Sequence, residues 1–149
     1  MVAVNIDLSQ LNTTLKAALE KLIDPQYLLR PVCLDLVDLM TKRIHSDGND
    51  STDAPIGNYN KQYLRQRELH YQRSSDPKII VSLTRQLEND WSVLATDSGG
   101  YGVGFKNSFN YQKARWVELQ KEREIFSMSP SETAYTEKKL ADLINAAFQ

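Results

Sequence analysis

Four of the chain's six glycines fall between Gly99 and Gly104, inside the stretch DSGGYGVGFKN at 97–107. Glycines this dense can cradle a phosphate with bare backbone N–H groups, or let another backbone approach closely. A dinucleotide loop needs G-x-G-x-x-G. Here Gly100 and Gly102 are followed at the third position by Phe105, and Gly102 and Gly104 by Asn107. No Gly-Lys-Ser/Thr occurs, so the other phosphate-loop pattern fails too. The phase is that of a strand. Gly100, Gly102 and Gly104 alternate with Tyr101, Val103 and Phe105, giving one apolar face for a core and one bare face for a close neighbour.

The remaining reactive side chains are scattered. Asp47, Asn49 and Ser51 alternate as in a calcium loop, but Thr52 stands at the sixth position and Asn58 at the twelfth, where glycine and glutamate belong. His45 and His70 lie far from any other ligand at metal spacing. Cys33 sits in an apolar stripe and reads as a small core residue. No nucleophile elbow accompanies any serine. The expectation is a protein with no catalytic set, no cofactor and no metal. Tyr59, Tyr63, Arg65, Arg67, Tyr71 and Arg73 are different: they interleave bases with aromatics, as single-strand nucleic-acid binders do.

Those residues need elements to hold them. Leu8, Leu11, Leu15, Ala18, Leu19, Leu22 and Ile23 recur at helical spacing, with Ser9 or Asp7 as cap and Asp24-Pro25 as stop. A second stripe joins Leu29, Cys33, Leu36, Val37, Met40 and Ile44, leaving Asp35, Asp38, Lys42 and Arg43 for solvent. Pro31 fits if it lies in that helix's first turn. Residues 45–60 are rich in Asp, Asn, Ser, Gly and Pro and read as a long flexible loop carrying Asp47, Asp50 and Asp53. The following segment, 61–73, is a short helix with four Lys/Arg against one Glu. PKIIVSL is a strand or the lead-in to a short helix in LTRQLEND. WSVLATD and YGVGFKN are strands joined through Asp97-Ser98-Gly99-Gly100. YQKARWVELQKERE is helical. Ser129, Pro130 and Glu132 form a capping box that opens a last helix buried through Leu140, Leu143, Ile144 and Ala147. Trp91, Tyr101, Phe105, Trp116 and Phe126 are core candidates.

The predicted fold is α+β: a small antiparallel sheet with a central β-hairpin (about 91–106) packed against a long N-terminal helix and a C-terminal helix. A length of 149 residues suits a single domain over 1–149. With 41% apolar and 25% charged residues the composition is that of a globular protein. A net charge of −1 gives no overall pull toward nucleic acid or an anionic membrane. One cysteine excludes an intrachain disulfide. MVAVNIDLSQLNTTLK lacks the basic start and unbroken apolar run of a signal peptide, and no stretch is long enough for a membrane span. A soluble protein made in a cytoplasm is expected.

The order of features also resembles a known family, the tailed-phage virion-morphogenesis proteins of the tail-completion or head–tail joining type. The resemblance spans roughly residues 27–148. Those proteins have a "leu-thr-gly-x-leu" helix start, compared here with Leu83-Thr84-Arg85-Gln86-Leu87. They continue with a "val-gly" strand and a "tyr-ala" helix, compared with Val103-Gly104 and Tyr111 to Val117. An "arg-x-phe-leu-x-leu-ser" segment follows, compared with Glu124-Ile125-Phe126-Ser127-Met128-Ser129. Arg85 stands where the family usually has glycine, and Glu124 where it usually has arginine.

The resemblance implies a non-enzymatic virion component in the neck or tail, assembled in the cytoplasm of a bacterial host. Copies of the chain would form a ring between portal or connector proteins and tail tube or hub proteins, with DNA passing through the lumen unbound. Asp47, Asp50, Asp53, Tyr59, Tyr63, Arg65 and Arg67 are the expected subunit-interface residues, the acidic loop of one copy meeting the basic 61–73 segment of the next. The alternative reading is a small nucleic-acid-binding protein using the basic-aromatic 59–73 segment.

Overall fold

The computed structural model describes residues 13–149, so Asp7, Leu8, Ser9 and Leu11 lie outside the described residues. Helix α1 (Thr13–Ile23) ends where Asp24 turns out of helical geometry and caps α2 (Pro25–Lys42). The Asp24 carboxylate accepts the Gln26 N–H at 2.9 Å, and Pro25 takes the first helical position, where its missing N–H costs nothing. Because α2 starts there and not at Leu29, Pro31 falls inside the helix and has no N–H to offer the Tyr27 carbonyl. A π-helical turn (Arg43–Asp47) continues α2. There follow α3 (Lys61–Tyr71), α4 (Gln86–Asp90), β1 (Trp91–Ala95), β2 (Tyr101–Phe105), α5 (Ser108–Lys121) and α6 (Pro130–Ala147).

The architecture is α+β, with one two-stranded antiparallel sheet among the described residues. Trp91 pairs with Phe105, Val93 with Val103 and Ala95 with Tyr101 on one face. On the other face Ser92 and Leu94 oppose Gly104 and Gly102. Gly99 supplies the positive φ (+84°) of the 96–100 turn, which Thr96 closes by accepting the Gly100 N–H on its hydroxyl. The bare face is only partly used. A Cβ at Gly104 would meet Leu94 at 3.2 Å, whereas one at Gly102 would meet nothing within 4 Å.

The hairpin rests on α2, while α6 lies along α2 and α1. Leu36, Met40 and Ile44 form the spine of the core and pack with Ile56, Ile79, Trp91 and Ile125. Phe126 completes a ring cluster with Trp91 (5.8 Å) and Phe105 (5.3 Å), which pins the 122–129 segment to the hairpin.

Two expectations are corrected. Arg43, assigned to solvent, is 5% exposed. Its Nε donates to Glu132 Oε1 at 2.7 Å, and its remaining N–H groups donate to the carbonyls of Asn49, Ile125 and Ser127 at 3.2, 3.1 and 2.8 Å. The 45–60 segment, read as an open loop, folds upon itself. Asp50 is buried and accepts from the Thr52 amide and hydroxyl, from the Ala54 amide and from Arg123. Ile56 enters the core, and Gly48 (φ +69°) lies so close to Ile79 that a Cβ there would sit 2.3 Å from its carbonyl oxygen. Polar residues were needed to satisfy this turn internally, so polarity did not mean solvation.

Ser129 and Glu132 form the expected capping box, and Glu132 serves it while also neutralising Arg43. Replacing Glu132 by Ala should therefore strand a buried guanidinium and remove half of the cap. We expect a loss of about 3–5 kcal/mol, read as a lower urea midpoint. Asp35→Asn, at the exposed contact of α2 with Tyr135 and Lys139 of α6, should leave the midpoint nearly unchanged.

Candidate functional site: a basic cleft beside α5

Helix α3 begins at Asn60, whose side chain accepts the Tyr63 N–H at 2.8 Å. Of its basic residues, one turns inward. Arg67 is 3% exposed, with its guanidinium 4.4 Å from the centre of the Tyr59 ring and 5.8 Å from that of Tyr63. One terminal N–H reaches the Tyr59 hydroxyl at 3.3 Å. The Nε–H is buried without an acceptor, and no carboxylate among the described residues pairs with this cation. Stacking on tyrosines offsets part of the desolvation of a guanidinium, but an ion pair is the usual solution. Burial pushes the Tyr59 hydroxyl pKa up, with Arg67 acting in the opposite sense.

Arg67 lines a cleft of about 740 Å³ between α3, the 79–87 segment and α5. Three more cations line it, Arg85, Lys113 and Lys121, and no Asp or Glu does. Its apolar wall includes Ile79, Leu87 and Trp116. Arg85 is in left-handed geometry (φ +60°, ψ +13°), the residue from which α4 starts. The cleft is thus concave, cationic and partly apolar, a shape that takes a carboxylate or phosphate carried on an apolar body.

Trp116 departs from expectation. It is 53% exposed, not in the core, and meets Phe109 edge-on at 6.3 Å. Phe109 and Leu119 are also more than half exposed, so α5 keeps apolar surface on its outer side while Ala114 and Val117 face inward. Trp116 was placed by residue type; it shares a helix face with Phe109 seven positions earlier, and nothing in the sequence marks that face as exposed.

The expected interface residues divide. Asp47 and Arg65 are exposed, and Tyr59 and Tyr63 are half-buried against Arg67. Asp53 is exposed and holds Ser131 at the start of α6 through its hydroxyl (3.1 Å) and amide (3.3 Å). Asp50 and Arg67 are buried and engaged within the chain. Burial works to raise the Asp50 carboxyl, but hydrogen bonds from Thr52, Arg123 and Ala54 together hold it below its ordinary range. Its cationic partner is Arg123 at 2.6 Å, not a residue of 61–73. Of the basic-aromatic set, Arg73 is spent on the Leu83 carbonyl, through two bonds of 2.9 and 2.8 Å. The cleft residues Arg85, Lys113 and Lys121 were not foreseen, because they come from two separate segments.

His45 lies under the same region. It is 7% exposed, donates from Nδ1 to the Val81 carbonyl at 3.2 Å, and faces Glu88 at 3.7 Å, with Arg43 and Phe126 nearby. Burial lowers its pKa, and this outweighs the opposing pull of Glu88, so the ring is neutral in the folded protein near neutral pH. The unfolded chain takes up this proton first as the pH falls through about 6.5, so stability should decline progressively below that pH. Denaturant unfolding at a series of pH values checks this, and His45→Gln should flatten the slope in that window.

Among the described residues no three His, Cys, Asp or Glu side chains are grouped to hold a metal ion, and no helix is long and apolar enough to cross a membrane. In comparisons with known proteins, no family model, no curated protein and no solved structure matches this chain.

Proposed function

We propose that this chain is a structural virion component of a tailed phage, a head–tail connector or tail-completion protein whose copies assemble into a ring around the DNA channel. The observation that carries this reading is the outer side of α5. Phe109, Trp116 and Leu119 are 54%, 53% and 69% exposed on one helix, an apolar surface that assembly would cover.

Two details support the family resemblance on which the reading also rests. Arg85, at the place of the family's glycine, adopts the left-handed backbone that glycine takes without strain. The second concerns the arginine. A seven-residue "arg-x-phe-leu-x-leu-ser" segment ending at Ser129 begins at Arg123, so the comparison with Glu124 was one residue short. Arg123 pairs with buried Asp50 and fastens the 48–56 turn to the end of α5.

Electron microscopy of virions carrying labelled chain, and of the pure protein at high concentration, tests the assignment. A neck or tail position and closed rings are expected; monomer at every concentration, absent from virions, would overturn it. Steeply salt-dependent binding to DNA fragments would favour the nucleic-acid reading instead. The turn itself is testable: Arg85→Gly should stabilise the fold by about 0.5–1 kcal/mol, while Arg85→Ala, which keeps the strain, should not.

A further inference from the structure

Helix α5 carries unlike charge on its two flanks. Lys113, Trp116 and Gln120, three and four residues apart, line the basic cleft. Arg115, Leu119 and Glu122, at the same spacing, line a shallow hollow on the opposite flank together with Glu124. The two arginines of that hollow are already neutralised, Arg115 by Glu118 at 2.8 Å and Arg123 by Asp50 at 2.6 Å. Glu122 has no side-chain partner among the described residues, and the Glu124 carboxylate accepts only from the Ser127 hydroxyl. The uncompensated charge of this flank is therefore negative, and 69%-exposed Leu119 stands beside it.

Each flank also holds a residue in an unfavourable setting. Arg67 is a buried cation without a carboxylate. Glu122 caps α5 in left-handed geometry (φ +52°), placing a negative side chain at the helix's negative end. Bringing them together gives Arg67 the countercharge it lacks and Glu122 a cation to offset the helix's negative end.

We propose that the cleft receives the C-terminal end of α5 from a second copy of this chain, with Leu119 against the apolar wall at Trp116 and the Glu122 carboxylate accepting from Arg67. This rests on the ring reading and gives it a contact. Because donor and receptor lie on opposite flanks of one helix, each copy offers both halves. The contact is heterologous, and it repeats head to tail until it closes. Lys113 and Lys121 around the cleft mouth steer the acidic end inward.

Charge exchange on the full chain tests the contact, with sedimentation velocity and electron microscopy as readouts. Glu122→Lys and Lys113→Glu each alter a surface residue and should each weaken self-association at least about tenfold. Combining them sets the carboxylate introduced at 113 against the cation introduced at 122, although Arg67 still repels that cation, so assembly should recover in part over Glu122→Lys alone, and no recovery would overturn the contact. Glu122→Lys should leave the thermal midpoint of the monomer unchanged or higher, since it puts a cation at a helix C-terminus. A merely structural role for Glu122 predicts a lower midpoint. Rings that form unchanged in Glu122→Lys would overturn this contact and leave the ring reading standing. Wild-type chain that stays monomeric throughout would overturn both. Oligonucleotide binding that is lost in Lys113→Glu would give the cleft to nucleic acid and overturn the contact as well.

Discussion

One guanidinium ties the far parts of this chain together. Arg43 sits where α2 loosens into a π turn, and from there it reaches the 49 carbonyl, the 125 and 127 carbonyls and the first turn of α6. Its planar fork can serve four acceptors at once, which a lysine could not. Glu132 answers with both carboxylate oxygens, one on Arg43 and one on the Ser129 amide, so a helix cap and an ion pair are a single device. Burying such a pair adds little net stability, because desolvation cancels much of the attraction. What it fixes is the placement of α2 against the 49 carbonyl, the 125–127 segment and the start of α6.

That constraint sets the geometry of the candidate site indirectly. The segment after α5 is held by Arg43 through its carbonyls and by Glu118, whose Oε1 accepts the Ile125 and Phe126 amides at 2.9 and 3.0 Å. Asp50 and Arg123 add a clasp from the 48–56 turn. These contacts anchor α5 at its C-terminal end. Its inner face meets the hairpin and core, and its outer face and flanks are presented at fixed positions. A surface meant to meet another surface gains from such pre-organisation, because less freedom is lost on contact.

The parts legible in the sequence were those governed by local periodicity. The 91–105 hairpin followed from the alternation of glycine with Tyr101, Val103 and Phe105, and the Ser129–Glu132 box from its spacing. What misled was the rule that charge means solvent. Arg43 lies on the same helical continuation as Met40 and Ile44, and only its partner Glu132, 89 positions away, makes burial tolerable. The burial of Asp50 was illegible for a related reason: its carboxylate takes the Thr52 and Ala54 amides, closing a turn that on composition alone looks like an open loop. The cleft was illegible for a third reason. Its four cations come from α3, the 85 turn and α5, and only tertiary packing gathers them.

Some residues that break local rules gather beside α5, while Asp53 and Gln72 in left-handed geometry, Pro31 inside α2 and the unpaired Trp91 Nε1–H lie elsewhere. Arg85 takes a backbone better suited to glycine, Arg67 is buried with no countercharge, and Glu122 sets a negative charge at the end of a helix in left-handed geometry. All three border α5 or the cleft beside it. The Arg43 and Asp50 networks, by contrast, leave their charges answered. Locally better choices exist at these positions: Gly at 85, an apolar residue at 67 and Gly or Lys at 122. Keeping the unfavourable choice at sites on both flanks of α5 makes sense if the isolated chain is not the state being stabilised. The strain and the unpaired charges then belong to a surface that is complete only when something else is seated against it.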